Sequence, residues 1–198
     1  MSHGHPHGQH RNPEDLESYI ARMEDPERAS WQKPDEVLRA LALAPGQLAC
    51  DIGAGPGYFA LRMARTASHV FAVDVEPRIL QALQKRIAKS GLRNVTPVLG
   101  LDDDPLIPEQ ACDLIFVANT YHHFPDGPAY LRRLARSLKP GGRIANLDFH
   151  RRELPVGPPV EHKVARDDFL REAGAAGLEL ADEHDFLPYQ YFLVLRPR

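Results

Sequence analysis

The most constraining feature of this chain is the run from Leu48 to Ala60, which reads LACDIGAGPGYFA. A short apolar strand ends in an acid, three glycines then recur at every second position, and an amphipathic stretch begins at about Tyr58. Glycine permits φ > 0 and a close approach of the backbone to a ligand, and a helix N-terminus offers unpaired N–H groups. The run therefore predicts a strand, a tight turn and a helix start that hold a nucleotide-like molecule against the main chain.

The glycine spacing separates two classes of nucleotide-binding fold. A dinucleotide fold expects G-x-G-x-x-G, in which the third glycine allows close packing of helix on strand. Here Tyr58 stands at that third position, which disfavours an NAD-dependent oxidoreductase but leaves it as an alternative. The D-x-G-x-G-x-G form resembles motif I of class I S-adenosylmethionine (SAM) methyltransferases. The resemblance implies SAM as cofactor, S-adenosylhomocysteine (SAH) as product, and cofactor binding by Asp51, Gly53, Ala54, Gly55 and Gly57.

Two later segments carry the same resemblance. The apolar run Val70–Asp74 also ends in an acid, and the resemblance implies that Asp74 accepts hydrogen bonds from both ribose hydroxyls while Val75 lies against adenine. The run Leu138–Gly142, LKPGG, is a second family signature, and Pro-Gly-Gly has the chemistry that ends a helix. The resemblance extends from about Ala44 to Phe149.

Predicted strands and helices alternate along the rest of the chain. The remaining strands are expected at Val95–Leu99, Asp113–Asn119, Leu178–Phe186 and Gln190–Leu195, and the helices at Tyr58–Arg65, Pro77–Ser90, Gly127–Leu138 and Ala165–Ala175. The last two strands are joined by a link too short for a parallel crossover, so they form an antiparallel hairpin. The alternation predicts an α/β fold with a mostly parallel sheet covered on both faces. The resemblance implies an open three-layer α/β/α sandwich whose seven strands lie in the order 3-2-1-4-5-7-6, with an antiparallel C-terminal strand.

The N-terminal region is predicted to differ from this core. Residues 1–12 carry alternating histidines with almost nothing to bury, and we expect a disordered tail that is either solvated or metal-chelating. Residues 13–43 are expected to form a helical lid, with helices at Pro13–Arg22 and Pro34–Leu43, and residues 44–198 the methyltransferase domain. In related methyltransferases such a segment covers the cofactor and shapes the acceptor pocket. Trp31 is therefore either a lid residue or an ordinary hydrophobic plug.

The segment after strand four is the candidate reaction centre. In an open α/β sheet, ligands bind at the carboxyl ends of the strands where the strand order reverses, here between strands one and four. The resemblance implies that Asn119 contacts the methionine part of the cofactor. Tyr121, His122 and His123 are then the groups nearest the acceptor, and a neutral imidazole is able to take its proton at physiological pH. The alternative is that one ring only packs beneath the loop, since methyl transfer also proceeds by positioning alone.

One further acid and one further histidine complete the predicted site. After strand three, the resemblance places an acid against the adenine amine, and we assign Asp102; the alternative is that Asp102–Asp104 caps the segment that follows. His162 lies in the proline-rich linker 157–163, which is expected to cross the mouth of the pocket and to place His162 on the substrate.

Composition and charge restrict the classes of partner that the protein is expected to bind. A net charge of −3 without a long basic run predicts neither nucleic acid nor an anionic membrane as partner, which favours a small-molecule acceptor. No apolar stretch approaches the roughly 20 residues of a membrane span, and histidines stand where a secretory signal carries an apolar segment, so we expect a cytoplasmic protein. Cys50 and Cys112 are expected to be reduced core residues.

The function expected from the resemblance is methyl transfer from SAM to a small molecule through O, N, S or C. Asn119 is followed by Thr120 and Tyr121 without the Pro-Pro-Tyr run of adenine- and glutamine-N-methylating enzymes, which disfavours polymer N-methylation. The sequence also lacks the metal-ligand carboxylate that catechol O-methyltransferases place near Asn119 and the several exposed cysteines of arsenite methyltransferases. We therefore expect no metal at the site. A non-catalytic SAM-binding protein remains the alternative, and the sequence leaves the oligomeric state open.

Overall fold

The computed structural model describes residues 15–198 and contains a seven-stranded sheet in the order β3-β2-β1-β4-β5-β7-β6. The strands are β1 (Leu48–Ile52), β2 (His69–Asp74), β3 (Val95–Leu99), β4 (Cys112–Ala118), β5 (Leu138–Phe149), β6 (Leu178–His184) and β7 (Gln190–Pro197). Strands β1 to β5 pair in parallel, whereas β7 runs antiparallel to both β5 and β6. The predicted strand order and the antiparallel C-terminal strand are confirmed.

Helices cover both faces of this sheet. They are α1 (Leu16–Met23), α2 (Arg28–Gln32), α3 (Pro34–Leu41), α4 (Ala60–Met63), α5 (Pro77–Ser90), α6 (Gly127–Arg136) and α7 (Arg166–Ala175), with 3₁₀ turns at Tyr121–His123 and Val160–His162. Local sequence explains several starts: Asp126 Oδ1 accepts from Ala129 N–H at 2.8 Å, and a proline occupies the first turn of α3, α5 and α6.

The buried apolar residues form two core clusters, and successive residues of the central strands belong alternately to one cluster and the other. In β4, Leu114 and Phe116 pack with residues of α3, α4 and α5, whereas Ile115 and Val117 pack with residues of α6 and α7. A strand buried on both faces needs a continuous apolar run, and Leu114–Val117 supplies it. The three-layer prediction is therefore confirmed.

Some predicted boundaries differ from the structure. The helix after the glycine loop begins at Ala60 rather than Tyr58, because the loop itself continues in turns through Phe59. The chain has already entered β5 at Leu138, and the LKPGG run lies inside that strand, where the β4–β5 register shifts between Cys112 and Leu114. The positive φ of Gly141, +80°, accommodates that irregularity.

Part of the N-terminal region belongs to the core. Helix α3 belongs to the core, since Val37 and Leu41 are fully buried in one core cluster. The predicted tail at residues 1–12 lies outside the described residues. Within residues 15–198, no helix is long and apolar enough to cross a membrane. Cys50 and Cys112 are buried free thiols.

Candidate active site

The glycine loop after β1 is held in a conformation that side chains rarely adopt. Gly53, Gly55 and Gly57 have φ values of +68°, +55° and +91°. A Cβ on Gly53 would overlap the side chain of Thr120, and one on Gly55 would lie 2.5 Å from Met23 Cε. The loop is therefore enclosed between the segment after β4 and helix α1, and glycine is required by both backbone conformation and space.

A cavity of about 720 Å³ opens beside this loop at the carboxyl ends of β1 and β4. Its walls come from the glycine loop, the end of β2, the segment after β4, helices α1 and α2, and residues 155–158. The predicted site residues that it brings together are Trp31, Asp51, Gly53, Ala54, Asp74, Asn119, His122 and His123. Gly55 and Gly57 shape the loop without lining the cavity.

A narrow cleft of about 40 Å³ continues from the cavity toward β3. Gly53, Asp74 and His123 line both spaces, and the cleft adds Val75 and Asp102. The cleft therefore brings together the two residues that were predicted to contact adenine and the acid that was predicted to contact ribose.

Asp74 connects β2 to the glycine loop. Its Oδ2 accepts from Gly55 N–H at 2.9 Å, and its Oδ1 accepts from Glu76 N–H at 3.0 Å. The side chain is 8% exposed. These bonds orient the carboxylate of Asp74, and the residue lines both the cavity and the cleft.

Asp51 is the penultimate residue of β1 and a buried acid that lines the cavity. Burial raises the pKa of Asp51 to about 7, and the charge of Asp74 adds to this rise, while a backbone hydrogen bond from Ala60 and the charge of Arg28 oppose it. The site thus contains a carboxylate that a bound cation would stabilise in its ionised form.

His122 forms a buried pair with Asp148 at the end of β5. Nδ1 of the imidazole lies 3.0 Å from Asp148 Oδ2 and 3.2 Å from Oδ1, and Phe149 N–H donates to Oδ1 at 2.8 Å. Burial opposes the charged imidazolium, but the charge and hydrogen bond of Asp148 outweigh it, and the pKa of His122 is raised above 6.5. Because Nδ1 faces Asp148, Nε2 is the ring nitrogen left for a ligand.

Asn119 follows β4 with a left-handed backbone, φ +55°. Its N–H donates to Leu147 O at 2.7 Å, and its side-chain oxygen accepts from Gln190 Nε2, which is buried in β7. Asparagine tolerates this conformation better than most residues. The side chain is therefore held in one orientation at the cavity wall.

Two predicted site residues are not brought to the cavity. Tyr121 is fully buried among the rings of Phe124 and Phe169, and its hydroxyl donates to Glu172 of α7. Burial and the Glu172 carboxylate raise the pKa of Tyr121. The prediction of Tyr121 as a group at the acceptor is therefore corrected: consecutive residues of a 3₁₀ turn point in different directions, and this one points into the helical layer.

His162 is exposed on the 3₁₀ turn after the linker and does not line the cavity. The linker reaches the cavity earlier, at residues 155–158, where Pro155, Val156 and Pro158 form part of the wall. The structure therefore does not bring His162 to the cavity, and its contact with substrate stays a prediction.

Several wall residues were missed from the sequence. Arg28 is buried in α2, and Tyr19 and Met23 line the cavity from α1. The run between residues 25 and 33 is polar and has no apolar periodicity, so no signal indicated a short helix or a buried arginine there. Trp31 does line the cavity, with its ring centroid 5.8 Å from that of Phe149.

Comparison with known proteins gives the same family as the motifs. A family model described as a methyltransferase domain matches residues 49–142. The chain is 30% identical over 130 residues to a demethylmenaquinone methyltransferase of Tropheryma whipplei, which covers 66% of this chain and 52% of that protein. It is 29% identical over 178 residues to a 27-O-demethylrifamycin SV methyltransferase of Amycolatopsis mediterranei, which covers 82% of this chain and 65% of that protein.

This chain spans about half the length of the first of these relatives and less than two thirds of the second. A solved SAM-dependent methyltransferase from Aquifex aeolicus has the same fold, with a TM-score of 0.86, 24% identity and coverage of 92% of this chain and 98% of that one. The sheet order, the glycine loop and these similarities agree: residues 49–142 match the methyltransferase-domain family, and the chain has the fold of class I, Rossmann-like SAM-dependent methyltransferases.

Proposed function

We propose that this protein is an enzyme that transfers a methyl group from SAM to a small-molecule acceptor. One observation carries the proposal. A single cavity brings the glycine loop and Asp74 together with His122 and an aromatic wall at the switch point of the sheet. The glycine loop and Asp74 fit a nucleoside cofactor. His122 and the aromatic wall fit a second, less polar molecule that must lose a proton.

The residues present fit SAM. Asp74 lines both the cavity and the cleft with a carboxylate, an acceptor suited to ribose hydroxyls, and Gly53 of the glycine loop lines both spaces as well. Val75 and Asp102 line the cleft that would receive adenine. Asp51 is a buried acid able to receive the α-ammonium group. When bound, SAM supplies an electrophilic methyl group on a positively charged sulfur.

His122 is the group that we assign as general base. Asp148 accepts from Nδ1 and so holds the ring in one tautomer, which leaves Nε2 to take the proton from the acceptor. Asp148 does not line the cavity, so it acts through His122 as a positioning residue. His123 lines the same wall, and its ring lies 4.2 Å from that of His122.

The acceptor side of the cavity is apolar. Trp31 and Phe149 face each other across 5.8 Å, and Val156 and Pro158 extend this surface. A volume of about 720 Å³ for cofactor and acceptor together lies within the range of small-molecule sites, about 300–1,000 Å³. The names of the two relatives, which denote methylation of demethylmenaquinone and of 27-O-demethylrifamycin SV, support the same acceptor class.

The test is transfer of a labelled methyl group from SAM in a cell extract, followed by separation of small molecules from protein and nucleic acid. We expect label in the small-molecule fraction, and less of it with His122→Gln at equal cofactor occupancy. Label confined to macromolecules would contradict the acceptor class. Binding of SAH without transfer from any extract would support a non-catalytic SAM-binding protein, and binding of NAD in place of SAH would contradict the cofactor.

A further inference from the structure

The acceptor side of the cavity is built around the ring of Phe149, the last residue of β5. Trp31 of α2 packs against this ring with the centroids 5.8 Å apart, and against the ring of Tyr189 at 6.4 Å. Lys33 Nζ donates to Phe186 O at 2.9 Å and so connects the end of α2 to the link between β6 and β7. Trp31 is therefore held in place by segments that are distant in sequence.

Residues 152–163, here called the strap, close over the same ring. The buried Lys163 donates from Nζ to Arg152 O at 2.8 Å, which joins the two ends of the strap. At Gly157, where φ is +92°, a Cβ would lie 2.8–2.9 Å from three carbon atoms of the Phe149 ring. The backbone of the strap thus lies directly on this ring, and a side chain at position 157 would displace one or the other. Compact loops with joined ends are frequently functional.

The surface formed by Trp31, Phe149 and the strap is uncharged. Among the described residues, the carboxylates and guanidinium groups that line the cavity belong to residues 22–28 and to β1 and β2. Trp31, Phe149 and residues 155–158 contribute only aromatic and apolar groups. An ion on this surface would lose hydration without gaining a partner from it, which is costly. The surface therefore favours an uncharged ligand.

The chemistry of the wall narrows the ligand further. Aromatic rings pack on one another at centroid distances of about 4.5–7 Å and gain about 0.5–1.5 kcal/mol beyond the burial of apolar area. Trp31 and Phe149 both offer such contacts. Transfer of a proton to Nε2 of His122 also requires an acidic group on the acceptor, and a phenolic hydroxyl has a pKa of about 10, far below that of an alkyl alcohol. A hydroxyl on an aromatic ring meets both requirements.

We propose that the acceptor is an uncharged aromatic compound methylated on a ring hydroxyl, and that Trp31 and Gly157 determine this specificity. This inference rests on the proposed function and makes its acceptor class more specific. The ring packs on Trp31 and Phe149, and its hydroxyl faces His122. The aryl oxygen bonds to the methyl carbon, the carbon–sulfur bond breaks and leaves its electron pair on sulfur, and the hydroxyl proton passes to Nε2 of His122.

The test compares three bicyclic alcohols. 2-Naphthol is planar and phenolic, decahydro-2-naphthol has the same carbon skeleton with saturated rings and an alkyl hydroxyl, and 6-hydroxy-2-naphthoate adds a carboxylate to the first. Calorimetric titration of the SAH-saturated protein measures their binding, and labelled SAM followed by chromatography measures the methyl ether.

The variants are Trp31→Leu, Trp31→Phe and Gly157→Ala. Gly46→Ala is the matched control for Gly157→Ala, since Gly46 has a φ of +90° but a Cβ there would meet nothing within 4 Å. Gly46 also does not line the cavity. The control therefore reproduces the backbone strain without the collision with Phe149.

We expect the wild type to bind 2-naphthol about 2-fold to 12-fold more tightly than decahydro-2-naphthol, and to methylate only the former. The carboxylate of 6-hydroxy-2-naphthoate should weaken binding. Trp31→Leu should reduce the preference for the aromatic ring, and Trp31→Phe should keep part of it. Gly157→Ala should weaken 2-naphthol at unchanged SAH affinity, whereas Gly46→Ala should change neither. Thermal melts of each variant show that it is folded.

Three results would overturn the inference while the proposed function stands. The protein binds SAH but not 2-naphthol; it binds or methylates the saturated alcohol equally well; or the small molecule labelled in a cell extract has no aromatic ring. Equal effects of Gly157→Ala and Gly46→Ala would exclude Gly157 as a specificity residue. If the wild type does not bind SAH at all, the proposed function itself fails, and this inference fails with it.

Discussion

Asp74 accepts hydrogen bonds from the glycine loop and is also the proposed ribose contact, and the substitution Asp74→Ala separates these two roles. The carboxylate accepts from Gly55 N–H and Glu76 N–H, and both donors stay in place when it is removed. A hydrogen bond to a charged group contributes about 1.5–3 kcal/mol. Loss of the two bonds should therefore lower the free energy of unfolding by about 3–6 kcal/mol. Water weakens these bonds little, because Asp74 is only 8% exposed.

For a chain of this size, about 2–4 °C of melting temperature corresponds to each kcal/mol, so Asp74→Ala is expected to melt roughly 6–24 °C lower. If the carboxylate also binds ribose, SAH affinity of the folded variant should fall by about 1.5–3 kcal/mol, or about 10-fold to 150-fold. Thermal melts measure the first quantity, and calorimetry below the melting temperature measures the second.

Asp102→Ala is the matched control for this experiment. Asp102 lines the same cleft but is exposed, so its removal should change the free energy of unfolding by no more than about 0.5 kcal/mol. An unchanged melting temperature for Asp74→Ala would refute the structural part of the reasoning. A lower melting temperature with unchanged SAH affinity would refute the assignment of Asp74 to the ribose.

Four further predictions concern the rest of the site. As the pH is lowered, the methyl-transfer rate is expected to fall with a midpoint above pH 6.5, because the base must be neutral and the pKa of His122 is raised. Asp148→Asn should shift this midpoint to lower pH, and a rate that does not depend on pH would exclude an imidazole base. Tyr121→Phe should lower the melting temperature, since Glu172 loses its donor, while kcat stays within about twofold; a large loss of kcat at full stability would return Tyr121 to the site. Trp31 is the only tryptophan, so SAH titration should change its fluorescence, with Trp31→Phe as the blank; a constant signal would place the ligand elsewhere. SAH at a hundredfold excess over Kd should stabilise the protein by about 2.7 kcal/mol in thermal melts whereas NAD should not, and the reverse would contradict the cofactor.

The C-terminal hairpin and the central strands could be predicted because their signals are local. Leu114–Val117 is long enough and apolar enough to require burial on both faces, and a short link after His184 permits only an antiparallel return. Exact boundaries were less predictable. The LKPGG run has the composition of a turn, yet backbone pairing with β4 draws it into β5, and pairing is a property of the assembled sheet.

What the sequence by itself determined is the glycine loop, the acids Asp51 and Asp74, and the alternation of strands and helices, while the strand order followed from the family resemblance. Backbone conformation at Gly53 and Gly55 and the periodicity of apolar residues depend on neighbours in the chain, so they are readable without a fold. Only the tertiary structure decided which side chains share the cavity. In the 3₁₀ turn after β4, packing against α7 turned Tyr121 away and pairing with Asp148 kept His122 at the wall. Arg28 lies buried against the ring of Tyr58, which is distant in sequence, and such a contact leaves no periodic pattern in either segment.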